Sequence, residues 1–233
     1  MNKKIQLIEF PIKDYKETWD FQEKLFQKIL NIKSNNRRKE GNEMTPNYLV
    51  LLQHPHVYTL GKSGDISNLL INEEQLRQKG AHFYKINRGG DITYHGPGQM
   101  VGYPILDLEN FFTDIHKYLR LLEEMVILTL AEYGIKGARS KGETGVWIDA
   151  GTPKARKICA MGVRASRWVT MHGFAFNINT DLTYFDHIIP CGIKNKAVTS
   201  LQNELDGSPV NLVTVKKQLL TNFSELFEAV IEN

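Results

Sequence analysis

Short apolar runs alternate with amphipathic stretches along the chain, and the period of each predicts its element. "IQLIEF" opens as a strand. Phe21, Leu25 and Ile29 then recur every four residues, with Phe26 and Leu30 beside them, which makes one apolar face of a helix. The polar run "NIKSNNRRKEGNE" predicts that this helix stops there, in a solvated, charged loop over 31–43. "YLVLLQ" and "VYTLG" read as strands separated by "HPH". "NEEQLRQKG" reads as a short helix with Asn72 as N-cap, Gln75 completing a capping box and Gly80 as the stop. After a strand at "HFYKIN", the spacing of Ile115, Leu119, Leu122, Val126, Thr129 and Tyr133 predicts a helix, with its N-cap at Thr113 and Gly134 just beyond its end. From Thr144 to Asn179 the pattern changes to "TGVWID", "RKICAMGVRA" and "WVTMHGFAFNIN", β-rich runs of which the first two are joined by the turn residues "DAGTPK". Val215, Leu219, Phe223, Phe227 and Val230 place a last helix. This order predicts an α/β (α+β) fold, one mixed and mostly antiparallel sheet flanked by helices.

Composition narrows the class. A chain of 233 residues, 42% of them hydrophobic, suits one domain over 1–233. "MNKKIQLIEF" has no apolar segment of a signal peptide behind its lysines, and no window approaches the roughly 18 apolar residues of a membrane span. A cytoplasmic protein with no membrane partner is expected. Two cysteines, Cys159 and Cys191, are too few for a disulfide framework or a four-ligand zinc site, and a reducing compartment would keep both as thiols. A net charge of +3 gives no footprint for nucleic acid, although it mildly favours an acidic protein partner.

The densest local chemistry is "RGGDITYHGPGQMVGYP", residues 88–104, with Gly89, Gly90, Gly96, Gly98 and Gly102 in one connection between strands. Glycines there let backbone approach a ligand closely. A plain turn would need neither Arg88, Thr93, Tyr94, His95 nor Gln99, so the segment reads as a pocket wall. It is not a phosphate-cradling loop, because it neither contains the Walker pattern nor opens a helix. In "RKICAMGVR" a regular strand would put Lys157, Cys159 and Met161 on one face, with Ile158 and Ala160 on the other. Lys157 is then either a solvated surface charge or a partly buried ammonium that meets an anion or a thiol. Gly173 in "MHGFAF" offers a second close backbone approach, and the neighbouring His172 reads as a satisfied sheet residue.

Cys191 lies in "IIPCGI". Pro190 fixes its own φ and biases Ile189 toward extended backbone, while Gly192 frees the other side, so the thiol is expected on a turn. Cys159, among apolar strand residues, fits the inert description of a buried cysteine. Only a few per cent of an ordinary thiol is thiolate at pH 7, so Cys191 needs a cationic neighbour, and Lys157 is the candidate, as a cation or as a base.

The chain resembles the lipoyl(octanoyl) transferases, members of the biotin/lipoate protein ligase superfamily. The similarity runs through "RGGDITYHGPGQMVGYPILDL", "GVWID", "KICAMGVR", "HGFAFNIN" and "DLTYFDHIIPCGI" in that order, over roughly residues 50–203. The resemblance implies a biotin/lipoate protein ligase-like fold and transfer of an octanoyl or lipoyl group, with no cofactor and no metal. The donor would be octanoyl-acyl carrier protein; the acceptors would be lipoyl domains of 2-oxoacid dehydrogenases and the glycine cleavage H protein. It implies an acyl-thioester on Cys191, partnered by Lys157. The acyl group would lie against Arg88, Gly89, Gly90, Asp91, Ile92, Thr93, Tyr94 and His95, against Ala160, Met161 and Gly162, and against Gly173, Phe174 and Ala175. At Asp91 the family carries glutamine or lysine. Alternative readings are an ATP-dependent lipoate or biotin ligase, which would not need Cys191; octanoyl transfer between two lipoyl domains; and a non-catalytic acyl-binding protein. A cysteine–histidine hydrolase built on His187 lacks an oriented third group.

Overall fold

The computed structural model describes residues 1–189 and 197–232. Cys191 and its neighbours Pro190 and Gly192 lie outside the described residues. The chain runs through β1 (Lys4–Ile12), α1 (Tyr15–Arg37), β2 (Tyr48–Gln53), β3 (Val57–Leu60), α2 (Glu73–Gln78), β4 (His82–Lys85), β5 (Ile92–His95) and β6 (Gln99–Ile105). It continues through α3 (Ile115–Ala131), β7 (Gly137–Ser140), β8 (Glu143–Ile148), β9 (Arg156–Ser166), β10 (Val169–Asn177), β11 (Ala197–Val198), α4 (Leu201–Glu204), α5 (Leu212–Phe227) and β12 (Val230–Glu232).

Among the described residues, nine strands form one sheet in the order β12-β1-β2-β6-β10-β9-β8-β7, with β11 added on β9. β1 pairs in parallel with β12 and β2, and β11 with β9; the other pairs in this sheet are antiparallel. A three-stranded sheet, β4-β3-β5, stands beside it. The centre of the large sheet is buried on both faces, and β2 makes this plain. Leu49 and Leu51 enter the core beneath α3 and α5, while Tyr48, Val50 and Leu52 enter the core beneath α1. Strict alternation along a strand thus feeds two cores from one run of five apolar or aromatic positions, Tyr48 to Leu52. A third core joins the small sheet to α2 and to the 3-10 turn Leu182–His187.

The fold class agrees with the sequence patterns, and three boundaries differ. α1 does not stop at the polar run but continues to Arg37. Ile29, Ile32 and Lys33 share its buried face, and the Lys33 ammonium is held by Asp107 at 2.5 Å and Glu109 at 2.9 Å. A lysine that finds two carboxylates can extend a buried helix face that composition alone assigns to solvent. α3 is capped by Asp114, not Thr113, and the Asp114 carboxylate accepts from the Lys117 N–H at 2.9 Å. Val230 belongs to β12 rather than to the last helix, because Glu228 turns left-handed with φ +48° and ends α5. The capping box of Asn72 and Gln75 is present as expected.

Candidate active site

A cavity of about 570 Å³ opens between the centre of the large sheet and the glycine-rich segment. Its floor is β9 and β10; its wall is 88–95. The wall reaches the floor because both sides lack side chains where they meet. The Gly89 N–H donates to the Val163 carbonyl at 2.9 Å, and a Cβ on Gly162 would stand 2.7 Å from the Gly89 carbonyl oxygen. Arg88 anchors the wall from below: its guanidinium donates to the Thr59 carbonyl at 2.8 Å, the Thr59 hydroxyl at 3.0 Å and the Gly89 carbonyl at 3.0 Å.

The sequence-predicted residues Arg88, Gly89, Gly90, Asp91, Ile92, Thr93 and His95 all line this cavity, as do Ala160, Met161, Gly162, Gly173, Phe174, Ala175 and Lys157. Tyr94 does not. Its ring turns into the third core against Tyr58 and Phe185, and its hydroxyl bonds to His56 Nδ1 at 2.7 Å. The alternation of β5 sends His95 to the cavity and Tyr94 to the opposite side. Asp91 accepts from the Asn68 side-chain amide at 2.7 Å and from the Ile92 N–H at 2.7 Å, so its carboxylate fastens the wall to the 66–68 turn.

The face assignment along β9 needs correction. Val146 pairs with Cys159 but Trp147 pairs with Lys157, so Ile158 is an extra residue, a β-bulge. The bulge breaks the period of two. Ile158 and Cys159 both enter the core beneath α3 and α5, whereas Lys157 and Ala160 both face the cavity. Cys159 is fully buried, and burial pushes its thiol far above the usual range, which agrees with an inert role. The Lys157 ammonium lies 4.7 Å from the centre of the Trp147 ring.

Buried polar side chains fix how His95 presents itself. The Gln99 amide nitrogen donates to the Tyr94 carbonyl at 3.1 Å and to Asn177 Oδ1 at 2.9 Å. Its oxygen must therefore accept, and it does so from His95 Nδ1–H at 2.8 Å. That leaves His95 Nε2 as the acceptor nitrogen. Asn177 continues the chain to the Thr199 carbonyl at 3.0 Å. Burial pushes the His95 imidazole down to about 3, and nearby His54, Arg88 and His172 disfavour a further positive charge. His172 is likewise pushed down to about 3, by burial and then by Arg88 and Arg164. It donates from Nε2 to Asn87 Oδ1 at 2.8 Å, in keeping with a satisfied sheet residue, yet it also lines the cavity. Both imidazoles are neutral near pH 7, which leaves Lys157 and Arg88 as the basic side chains of the lining that can carry positive charge.

The flanks of the undescribed segment converge on the same cavity. Ile189 N–H donates to the Asn68 carbonyl at 2.8 Å, and Tyr58 Oη–H donates to the Tyr184 carbonyl at 2.8 Å. On the far side, Val198 pairs in parallel with Lys157. Phe185 and Val198, one before and one after Cys191 in the chain, are both lining residues. Sequence reasoning missed Tyr15, Tyr103 and Asn177, which also line the cavity. Tyr15 stacks on His95 with ring centres 5.9 Å apart, but it begins an ordinary amphipathic helix and carries no local signal.

A family profile described as the lipoyl protein ligase A/B catalytic domain matches residues 14–224. The octanoyltransferase of Flavobacterium psychrophilum is 70% identical over 231 residues, covering 99% of this chain and 100% of that one. The octanoyltransferase of Cytophaga hutchinsonii is 56% identical over 235 residues, covering 100% and 96%. Among solved structures, a bi-partite lipoate protein ligase from Thermoplasma acidophilum aligns with a TM-score of 0.70 at 17% identity, over 100% of this chain and 86% of that one. A lipoate-protein ligase A bound with ATP aligns with a TM-score of 0.69 at 16% identity, over 100% and 88%. At such identities the two structures speak for the fold alone.

Proposed function

Because the chain belongs to the lipoyl protein ligase A/B catalytic domain family, we propose that it is an octanoyltransferase working through Cys191 and Lys157 as one catalytic domain. The donor is octanoyl-acyl carrier protein. The acceptors are lysines of lipoyl domains, those of 2-oxoacid dehydrogenases and the glycine cleavage H protein. The reaction runs in the cytoplasm, where the thiol stays reduced. One observation carries the reading: the strand pair Val198–Lys157 brings the chain that follows Cys191 alongside the lysine, at a cavity whose lining also includes Phe185 from the chain before it.

The chemistry follows from the groups. The Cys191 thiolate, stabilised by the Lys157 ammonium, attacks the thioester carbonyl of the donor; the carrier leaves as its thiolate, which the Lys157 ammonium protonates, so that Lys157 becomes neutral. The octanoyl chain lies along Met161, Phe174 and Ala175, beneath a wall of backbone from Gly89 and Gly90. The acceptor lysine must lose a proton before its amine attacks the new thioester, and Lys157 in its neutral form takes that proton. The amide forms, the Cys191–acyl bond breaks, and the thiol returns. A thioester is already activated, so no nucleotide is needed. The test is turnover with octanoyl-acyl carrier protein and a lipoyl domain in the absence of ATP and magnesium. Strict ATP dependence with free octanoate would move the chain to the ligase chemistry.

A further inference from the structure

One fully buried carboxylate in the molecule has no part in the chemistry above. Glu123 sits on α3 at 0% exposure and is bonded to β7 and to β8, the neighbour of the strand that carries Lys157. Both of its oxygens are used. Oε1 accepts from the Gly145 N–H at 3.0 Å; Oε2 accepts from Arg139 Nε at 3.0 Å and pairs with the Arg120 guanidinium at 3.0 Å. A buried ionised group is costly, and an apolar side chain of similar volume commonly packs a core as well or better. The carboxylate therefore calls for a reason beyond stability.

The reason lies at its other end. Gly145 adopts φ +116°, in the region that favours glycine, directly beside the bulge that sends Lys157 into the cavity. Its backbone is pressed against β9: a Cβ there would stand 2.5 Å from the Cys159 carbonyl oxygen and 3.6 Å from Lys157 Cε. Arg139 and Arg120 are partly exposed and can reach water, whereas the buried Gly145 N–H relies on Glu123.

We infer that Glu123 is a positioning residue for Lys157: its carboxylate holds Gly145, and Gly145 fixes the bulge from which the Lys157 side chain enters the cavity. The reach of the side chain matters here and its charge does not. Glu123→Gln keeps the reach, and its amide oxygen turns toward the Gly145 N–H because the arginines can turn to solvent. Glu123→Asp keeps the charge but falls one methylene short. Lys157 would then be misplaced by a fraction of an ångström to one ångström, which lowers kcat on the order of 10- to 100-fold. The donor KM stays the same, since the bonds and ion pairs of Glu123 go to Gly145, Arg139 and Arg120, none of which lines the cavity.

The experiment measures kcat and donor KM for Glu123→Gln, Glu123→Asp and Lys157→Ala, and for Glu123→Asp combined with Lys157→Ala, after circular dichroism confirms the fold. The inference requires kcat to fall far more in Asp than in Gln, with donor KM unmoved, and requires Glu123→Asp to have no further effect once Lys157 is alanine. Equal kcat in Gln and Asp, a lower kcat in Gln, or a full additional loss in the double variant overturns it. The inference rests on the proposed role of Lys157. Near-normal transfer by Lys157→Ala removes both, whereas an inactive Lys157→Ala beside Gln and Asp of equal kcat removes this inference alone.

Discussion

The Thr199 N–H donates to the Lys157 carbonyl at 2.9 Å, and this bond ties the chain that leaves the Cys191 segment to the strand that carries the lysine. The strand that carries the lysine of the proposed dyad is thus bonded through backbone to the chain that follows the cysteine in sequence. The roles of the two residues can be separated by experiment.

Mass spectrometry after mixing with octanoyl-acyl carrier protein should give one octanoyl adduct that hydroxylamine removes. Cys191→Ser should never acquire it. Cys159→Ser should acquire it normally while melting at a lower temperature, because a hydroxyl replaces a thiol in the core beneath α3, at a cost of about 1–3 kcal/mol. The opposite pattern would make Cys159 the acyl carrier.

For Lys157 the expectation concerns the pH dependence of iodoacetamide alkylation at Cys191. With the ammonium nearby, alkylation should have a midpoint below about 8.5, and Lys157→Ala should move that midpoint upward. Lys157→Arg should restore part of the thiolate but not proton transfer, because guanidinium keeps its proton. That variant should accept octanoyl and fail to pass it to the lipoyl domain. Unchanged alkylation in Lys157→Ala, together with normal transfer, would return Lys157 to a surface charge.

The glycines of the cavity divide into two kinds. A Cβ on Gly173 would meet the Gly102 carbonyl oxygen at 2.2 Å, inside the β10–β6 pairing, so Gly173→Val should lose about 3 kcal/mol or more of stability rather than merely weaken donor binding. On Gly89 the nearest contact is the Val163 carbonyl at 3.3 Å, so Gly89→Ala should fold and raise the donor KM. A folded Gly89→Ala with normal donor KM would show that the wall does not contact the acyl group.

Three buried imidazoles set the response of stability to acid. His54, His95 and His172 are pushed down to about 4, 3 and 3, in each case chiefly by burial, so the folded state keeps them neutral. The unfolded chain protonates them below about 6.5. Their contribution is therefore complete above that pH and is lost as pH falls toward the folded values, by about 1.4 kcal/mol per pH unit for each group. Melting temperature should drop steeply below pH 6.5. His54→Gln can still bond the Lys13 carbonyl and the Tyr103 hydroxyl and should flatten the slope. An unaltered slope in that variant would mean that other groups govern acid unfolding.

What could be read from the sequence follows the range of the forces involved. β2 was legible because a short apolar run is a local property, and the Asn72–Gln75 box because a cap spans one helical turn. The end of α1 was not, since the carboxylates that bury Lys33 come from Asp107 and Glu109, far along the chain. Most of the residues singled out from glycine density and family resemblance line the cavity. The sharing of one face by Lys157 and Ala160 was hidden, because it depends on a bulge opposite Val146 and Trp147, and regular alternation cannot reveal a bulge. Tyr15 was hidden for another reason: its work is done on His95, and only the folded chain brings the two rings together.

β12 lies along the outer side of β1, where Lys4 faces Val230 and Gln6 faces Glu232. An uncovered strand edge is a template on which other molecules can add their own strands. The cover here is three residues long and charged at its rim, with Lys4 and Glu232 paired at 2.7 Å, so it closes the edge without offering a good new one. A chain cut before Val230 would keep every residue of the cavity and still lose this guard against self-association.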